Sequence, residues 1–113
     1  MSISLSQNKY HNRKTEVDGI EFHSAAEARR YGELKLMVRA GVIDDLVTQP
    51  RWDLPVNGLI VGRYVGDFSY VQRDTGQLVV EDVKSDPTKT AIYRLKKKLM
   101  LAIHGLTIME VEA

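Results

Sequence analysis

Two aspartates and one lysine in the middle of the chain have the spacing expected of a metal-binding group on adjacent β-strands. Period-two alternation over residues 77–84 places Asp82 and Lys84 on one face of a predicted strand and Glu81 on the other. Asp67 lies in the preceding predicted strand, from which it could approach Asp82 across the ladder. Because burying an unpaired charge is costly, two carboxylates on adjacent strands predict a cation between them.

A hard divalent cation suits such a pair, because Mg²⁺ takes oxygen ligands and usually keeps several waters. Lys84 would then stabilise developing phosphate charge or orient a metal-bound water for attack. The same pattern has a structural interpretation, in which Asp82 and Lys84 form a same-face ion pair and Asp67 caps a turn. The spacing by itself leaves both interpretations open.

Glu27 also has two interpretations. It stands three residues after Ser24 at the predicted start of a helix, which is the spacing of a capping box. A carboxylate in the first helical turn would equally complete a metal site if that helix packs across the sheet. The three histidines show no pair with metal-ligand spacing.

The elements that would position these residues follow from turn residues and apolar periodicity. An Asp-Gly pair at residues 18–19 predicts a tight turn between two short strands. Ser24 and Gly41 mark the predicted start and stop of a helix that ends at about Ala40. The apolar stripe of this helix is predicted to consist of Tyr31, Leu34 and Val38, with Met37 beside them.

A three-stranded antiparallel meander is predicted next, because β-branched residues alternate with turn signals. Its strands cover residues 42–56, with a bend near Pro50, then residues 59–71 and residues 77–84. We predict that Ser85 opens a second helix, which Gly105 ends. The apolar stripe of that helix is predicted to be Ile92, Leu95, Leu99 and Ile103, with Met100 beside them.

The last predicted strand covers residues 106–111 and should lie parallel to the third, since a strand–helix–strand crossover joins them. The predicted fold class is therefore α/β, with a mixed α+β sheet. Its order is a helix, a three-stranded antiparallel meander, a helix and a parallel strand, after a small N-terminal hairpin.

Basic residues cluster at two places that flank an acidic middle. Residues 1–14 carry Lys9, Arg13 and Lys14 without an acid, and we predict a flexible arm there, with residues 15–113 as one domain. Residues 84–98 carry six basic side chains against Asp86. This second cluster would bind backbone phosphates or form a solvated helix face, and its members on the helix are Tyr93, Arg94, Lys96, Lys97 and Lys98.

Length and composition limit the class of protein. A chain of 113 residues with 43% hydrophobic and 27% charged residues is typical of a single globular domain. No apolar run approaches the ~20 residues that span a bilayer, so no membrane association is expected. The absence of cysteine excludes disulfides and thiolate zinc sites and favours a cytoplasmic location.

Gly66-Asp67 on one strand, followed by Glu81-Asp82-Val83-Lys84 on the next, resembles the PD-(D/E)XK signature of restriction-endonuclease-like nucleases. Gly66 replaces the nominal proline of that signature. More closely, the chain resembles a family of short phage and prophage proteins without an assigned function. The similar stretch runs from about Lys9 to Val111 and includes Lys9-Tyr10, Asp18-Gly19-Ile20, Phe22, Ser24, Glu27-Ala28, Tyr31, Gln49-Pro50, Asp67 and residues 81–84.

The resemblance implies a Mg²⁺-dependent DNA endonuclease with a restriction-endonuclease-like core, in which Mn²⁺ substitutes for Mg²⁺. It makes Asp67 and Asp82 metal ligands and Lys84 the catalytic lysine. Glu27 matches a first-helix acid of many superfamily members, and Gln49 would be a peripheral site residue. The implied setting is phage DNA metabolism in the cytoplasm of a bacterial host.

We expect DNA contacts from the basic arm and from the second helix, and a homodimer that makes two cuts. So small a chain has little surface for reading bases, so branched DNA, as for a Holliday-junction resolvase, is the expected substrate. Two alternatives stay open. One is a non-catalytic DNA-binding module in phage replication or packaging, and the other is an assembly protein whose acidic pair binds a structural cation.

Overall fold

The computed structural model of the chain describes residues 14–113. It begins with a hairpin of strands β1 (Thr15–Val17) and β2 (Ile20–Phe22), which pair antiparallel and confirm the predicted turn. Asp18 and Gly19 both have positive φ, 56° and 76°, which matches the right-handed twist of the flanking strands. The predicted roles of Lys9 and Arg13 lie outside the described residues.

Helix α1 (Ala25–Arg39) confirms the first predicted helix. The side chain of Ser24 accepts a hydrogen bond from the backbone N–H of Glu27 at 3.2 Å, and the chain leaves the helix through Ala40 and Gly41. The buried residues are Ala28, Tyr31 and Leu34, with Met37 partly buried. Val38 was wrongly predicted to join them and is 38% exposed, because steps of three residues continue the buried stripe to Met37 instead.

The two long strands predicted for the first half of the meander are each divided. Both divisions occur at one bend, so that the outer halves form a two-stranded sheet and the inner halves join the main sheet. The four resulting strands are β3 (Ile43–Thr48), β4 (Arg51–Val56), β5 (Leu59–Val65) and β6 (Phe68–Gln72).

Backbone hydrogen bonds continue through this bend. The N–H of Gln49 donates to the carbonyl of Asp67 at 2.9 Å, and the N–H of Gly66 donates to the carbonyl of Pro50 at 2.9 Å. Gln49 has a φ of 53°, in the left-handed region, and Pro50 has no N–H to donate to a regular ladder. The meander is therefore bent at the position of Asp67.

The main sheet has the order β3–β6–β7–β8, in which β7 covers Leu78–Lys84 and β8 covers Ile108–Glu112. β6 pairs antiparallel with both β3 and β7, whereas β7 and β8 are parallel. The parallel last strand is therefore confirmed, and the fold is mixed α+β with a mixed sheet. Among the described residues, no helix is long and apolar enough to cross a membrane.

The second helix begins later than predicted. Residues Asp86–Thr88 form a separate 3₁₀ turn, and helix α2 covers Ala91–Leu99 with Thr90 as its N-cap. A π-helical turn, Met100–His104, follows before Gly105 adopts a φ of 69°. Pro87 fits the first turn of the 3₁₀ segment, and the side chain of Thr90 then caps α2 by accepting a hydrogen bond from the backbone N–H of Tyr93 at 3.1 Å.

The predicted apolar stripe of α2 is wrong in its first two turns. Ile92 and Leu95 are 63% and 54% exposed, whereas Tyr93 and Met100 are buried. The helix is rotated so that Tyr93 faces the sheet and not the solvent-facing side of the helix on which the sequence placed it. Leu99 and Ile103 are partly buried, as predicted for the C-terminal half of the stripe.

The two helices pack on opposite faces of the main sheet, and each face has its own core. The α1 face is built from Phe22, Ala28, Tyr31, Leu34, Ile43, Phe68 and Tyr70, with Val79 and Val83 packed against them. The α2 face is built from Leu54, Tyr64, Val80, Tyr93, Met100 and Ile108.

The alternation predicted for β7 is confirmed, because Val79 and Val83 face one core and Val80 faces the other. The predicted alternation of residues 59–71 fails at the bend. Tyr64 packs in the α2 core and Phe68 in the α1 core, although an unbroken strand would point both the same way.

Candidate active site

Asp67 and Asp82 meet where β6 begins beside β7, as the sequence predicted. Phe68 pairs with Glu81, and the next position along the ladder brings Asp67 opposite Asp82. The backbone N–H of Asp67 donates to Oδ1 of Asp82 at 3.0 Å, and the N–H of Val83 donates to Oδ2 of Asp67 at 2.7 Å. Each carboxylate is thus oriented by a backbone donor from the other strand.

Asp82 lies in a nearly dry environment, with only 3% of its surface exposed. The hydroxyl of Tyr64 donates a hydrogen bond to its Oδ2. The pKa of Asp82 is raised to about 7, mainly by burial and also by the negative charge of Asp67, whereas the Tyr64 hydrogen bond lowers it. The pKa of Asp67 is also raised by burial, against the lowering effect of the Val83 N–H and of Lys84.

Lys84 points to the same side of β7 as Asp82, and its charge lowers the pKa of both aspartates. Its ammonium lies 4.4 Å from the ring centroid of Tyr93, which is a cation–π arrangement. The hydroxyl of Tyr93 in turn donates to Glu110 at 2.8 Å. The buried ring of Tyr93 therefore supports the lysine beside the carboxylate pair.

An open cleft of about 250 Å³ gives access to this group from the α2 side of the sheet. It lies between β5 and the first turns of α2. Lys96 is the member of the 96–98 lysine run that reaches it. The lining residues are Arg63, Tyr64, Val65, Asp82, Lys84, Thr90, Ile92, Tyr93 and Lys96.

Glu27 approaches Asp67 from the α1 side. Burial raises the pKa of Glu27, the charge of Asp67 raises it further, and the neighbouring His23 lowers it. The side chain of Ser24 donates to Oε2 of Glu27 at 3.4 Å in addition to capping the helix, so Glu27 belongs to the N-terminal cap. Glu27 thus lies at the start of the helix and close enough to Asp67 for that negative charge to raise its pKa.

The three acidic residues do not form a ready metal cage. Within residues 14–113 no group of three His, Asp or Glu side chains is arranged to hold a metal ion. The pair Asp67 and Asp82 still offers oxygen donors, because a carboxylate has about four lone-pair sites and the hydrogen bonds described above use only some of them. A bound Mg²⁺ would complete its shell with waters, as is usual for this ion.

The other predicted site residues are spread over the molecule. Gln49 is exposed, and its backbone N–H donates a hydrogen bond to the carbonyl of Asp67. Lys14 is exposed just before β1. A second groove, of about 450 Å³, runs between α2 and β8, and the predicted DNA-binding residues that line it are Arg94, Lys97 and Lys98.

Sequence reasoning missed a buried ion pair on the opposite face of β7. Glu81 is fully buried and receives two hydrogen bonds from Arg30, Nε to Oε1 at 2.8 Å and Nη2 to Oε2 at 2.7 Å. The hydroxyl of Tyr70 also donates to Oε2. The only available signal was that alternation places Glu81 on an apolar face, where it requires a cation.

Arg30 lies one helical turn after Glu27, and Glu81 immediately precedes Asp82. The bidentate pair therefore ties the start of α1 to the strand that carries Asp82. Tyr64 and His23 were also missed, since neither has a sequence spacing that connects it to the aspartates.

Gly66→Ala is expected to lower the free energy of unfolding by about 1–3 kcal/mol. An added Cβ would lie 3.2 Å from Cγ1 of Val80, 3.4 Å from Cε2 of Tyr64 and 3.6 Å from the carbonyl oxygen of Glu81. Equilibrium denaturation measures the effect. Gly32→Ala is the control, because nothing lies within 4 Å of its Cβ and the helix should gain up to about 1 kcal/mol. Equal effects of both substitutions would contradict this close packing.

Comparison with known proteins gives one match. A family model described as a protein of unknown function (DUF1064) matches residues 7–108. No curated protein and no solved structure matches the chain.

Proposed function

The chain belongs to the DUF1064 family of proteins of unknown function, and we propose that it is a divalent-metal-dependent nuclease that hydrolyses phosphodiester bonds in DNA. The observation that carries the proposal is the buried pair Asp67 and Asp82 beside Lys84 at an open cleft. Two carboxylates whose pKa values are both raised by burial, with an ammonium next to them, favour a site for a cation and a phosphate.

We also propose that the fold is of the restriction-endonuclease-like kind. Support comes from the mixed sheet, in which β7 lies between an antiparallel and a parallel neighbour. The acid and the lysine of the resembling signature are two residues apart on this strand and face one side. The bend at Asp67 brings the first acid of that signature to the same end of β7.

The residues of the chain divide the work as follows. Asp67 and Asp82 would hold one or two ions, with Glu27 available from the other side of the sheet. Lys84 would neutralise phosphate charge or orient the attacking water, and Lys96 would contact the phosphate across the cleft. When bound, the metal would polarise the phosphate and lower the pKa of a bound water. Tyr64 keeps the Asp82 carboxylate in one orientation through its hydroxyl hydrogen bond.

The metal-free protein is expected to lose stability as the pH rises from about 4 to about 7. The pKa of Asp82 is about 7 in the folded chain against an ordinary value of 3.8, so over this interval the folded state holds a proton that the unfolded state has released. This stabilising contribution is fully present below the pKa of Asp82 in the unfolded state and is lost above its pKa in the folded state. The raised pKa values of Asp67 and Glu27 act in the same direction.

Urea denaturation in EDTA at several pH values between 4.5 and 8 measures this dependence, and Asp82→Asn should flatten it. Millimolar Mg²⁺ should raise the unfolding midpoint more at about pH 8 than at about pH 6, because its ligands must be deprotonated. A stability that rises steadily over this pH range in both proteins would show that Asp82 does not carry a raised pKa.

The nuclease proposal is tested by incubating the full chain with a labelled four-way DNA junction and a linear duplex of the same sequence. Cleavage with Mg²⁺ or Mn²⁺ that disappears in EDTA is the expected result, faster on the junction than on the duplex. Equal cutting of both substrates would remove the proposed preference for branched DNA and leave the nuclease. We propose a homodimer as the active form. Light scattering under the conditions of the assay measures the mass of the protein in solution.

The second candidate is a DNA-binding module of the same fold that does not cleave. It is favoured by the hydrogen bonds that already occupy both oxygens of Asp82, and by the absence of a three-residue metal group in the described part of the chain. Binding of the junction without cleavage under either divalent metal would support this module and contradict the nuclease.

A further inference from the structure

Three neighbouring surface depressions, which share lining residues, extend from the candidate active site to the groove between α2 and β8. The cleft beside Asp82 shares Lys84 with a depression of about 200 Å³ at the ends of β7 and β8. That depression shares Lys89 and Glu110 with the groove between α2 and β8. We name these three depressions together the basic track. Their basic lining residues are Arg63, Lys84, Lys89, Arg94, Lys96, Lys97 and Lys98, and their acidic ones are Asp82, Asp86, Glu110 and Glu112.

A single glutamate holds two of these lysines. Oε2 of Glu110 accepts hydrogen bonds from the Tyr93 hydroxyl at 2.8 Å and from Nζ of Lys97 at 3.0 Å. Its Oε1 lies 3.2 Å from Nζ of Lys89. The hydrogen bonds from Tyr93 and Lys97 lower the pKa of Glu110 to about 2, so the carboxylate is ionised at neutral pH.

We propose that the basic track carries the sugar–phosphate backbone of a DNA strand away from the Asp67–Asp82 pair, and that Glu110 competes with its phosphates for Lys89 and Lys97. The inference rests on the proposed function, because the track starts at that site. It adds a direction for the strand, a specific role for Lys89, and an acidic residue that limits the affinity for DNA.

The chemistry of the track favours a polyanion that passes through several sites. Arg94 and Lys98 are four residues apart on α2, about 6 Å along the helix axis, and lie on one flank of the groove. Because the track shares Lys84 with the cleft, a DNA strand that continues from the reacting phosphate is favoured as its ligand. An acidic peptide is less favoured, since it would have no reason to reach Asp82. Stems of the lysines and Leu101 line the groove and let the charged groups extend to its rim.

The ion pairs of Glu110 are weak enough to be exchanged. Lys97 is about one-third exposed and Lys89 about one-quarter exposed, so water screens both pairs. When DNA phosphates replace the Glu110 carboxylate as partners of the lysines, condensed counterions are released from the DNA. The ion pairs of Glu110 within the protein release none. Removing the charge of Glu110 should therefore tighten DNA binding, whereas a residue that served only to support the fold would weaken it.

The test measures DNA binding of the full chain in EDTA, so that cleavage does not interfere. Fluorescence anisotropy with labelled single-stranded and duplex DNA is recorded over a series of salt concentrations. Glu110→Gln keeps an oxygen acceptor for Tyr93 and should bind about three- to tenfold more tightly, with a salt slope steeper by about one to two. The double substitution Arg94→Ala and Lys98→Ala should weaken binding and make the slope shallower by about two.

Glu21→Gln, an exposed residue of the N-terminal hairpin, is the matched control for the charge change. Thermal melting verifies that each variant is folded. Unchanged or weaker binding by folded Glu110→Gln would overturn the proposal, as would unchanged binding by the Arg94 and Lys98 double variant. If Glu110→Gln fails to fold, the double variant decides alone.

A further arm adds poly-glutamate as competitor. If the double variant loses binding of poly-glutamate but keeps binding of DNA, the track would be assigned to an acidic protein partner and the proposal would be overturned. All these measurements are made without metal, so the two proposals can fail separately. If the track binds DNA as expected but the protein never cleaves it, only the nuclease proposal is contradicted. If the protein cleaves DNA but Glu110→Gln binds DNA no more tightly than the wild type, only the proposal for the track is contradicted.

Discussion

Asp82→Asn is expected to abolish DNA cleavage, with a fall on the order of 10³-fold or more. Asparagine has nearly the same shape, and its single side-chain oxygen still accepts the hydrogen bond from the Asp67 N–H, while its amide nitrogen would donate to the Tyr64 hydroxyl oxygen. It removes the negative charge that a cation and its waters require. A single-turnover cleavage assay on the four-way junction measures the loss.

The stability of the same variant should change in the opposite direction. Asp82 is buried next to Asp67 and its pKa is raised to about 7, so its ionised form destabilises the metal-free fold. Asp82→Asn should therefore be at least as stable as the wild type at about pH 8 in EDTA. Lower activity with equal or higher stability separates a functional charge from a structural one.

Asp74→Asn is the matched control, because Asp74 is exposed in the turn between β6 and β7. It should change neither cleavage nor stability measurably. Lys84→Ala should reduce cleavage as well and leave the fold intact. Full cleavage by Asp82→Asn would remove this residue from the site and with it the main support for a metal-dependent reaction.

Arg30→Ala is expected to lower the free energy of unfolding by about 3–5 kcal/mol. The substitution leaves the carboxylate of Glu81 fully buried, with only the Tyr70 hydroxyl as partner. For a domain of this size the loss is a large part of the total, about 5–15 kcal/mol. Chemical denaturation followed by circular dichroism measures it.

Arg29→Ala, at the adjacent exposed position of α1, is the control and should change stability by less than about 0.5 kcal/mol. Replacing Arg30 and Glu81 together by methionine should recover most of the loss, because no unpaired charge then remains buried. A loss for Arg30→Ala no larger than that for Arg29→Ala would show that the ion pair does not hold α1 against β7.

The double replacement also tests the link between the two faces of the sheet. If the pair serves to position Glu27 relative to Asp82, the methionine double variant should be stable and yet cleave more slowly. Wild-type cleavage by that variant would limit Arg30 and Glu81 to a role in stability.

Local chemistry of the sequence was sufficient for the first hairpin, for helix α1 and for the faces of β7. The Asp18-Gly19 turn and the Ser24 cap depend only on neighbouring residues, so their outcome does not require the rest of the fold. A regular strand such as β7 alternates strictly, which is why Asp82 and Lys84 were separated correctly from Glu81. The approach of Asp67 to Asp82 followed from the antiparallel order of the meander.

A bend near Pro50 was predicted from the sequence, but tertiary structure alone decided that it also divides the neighbouring strand, how α2 is rotated and which partners the buried charges have. The bend depends on how the ladder closes around Gln49 and Gly66, and it sends Tyr64 and Phe68 into different cores. The apolar spacing in α2 is that of Ile92, Leu95 and Leu99, yet Tyr93 rather than Ile92 faces the sheet, where its hydroxyl reaches Glu110. Apolar periodicity gives the spacing of a stripe, and the surface available for packing decides which residues are buried. The pair of Arg30 and Glu81 joins residues 51 positions apart, and only folding brings such distant charges together.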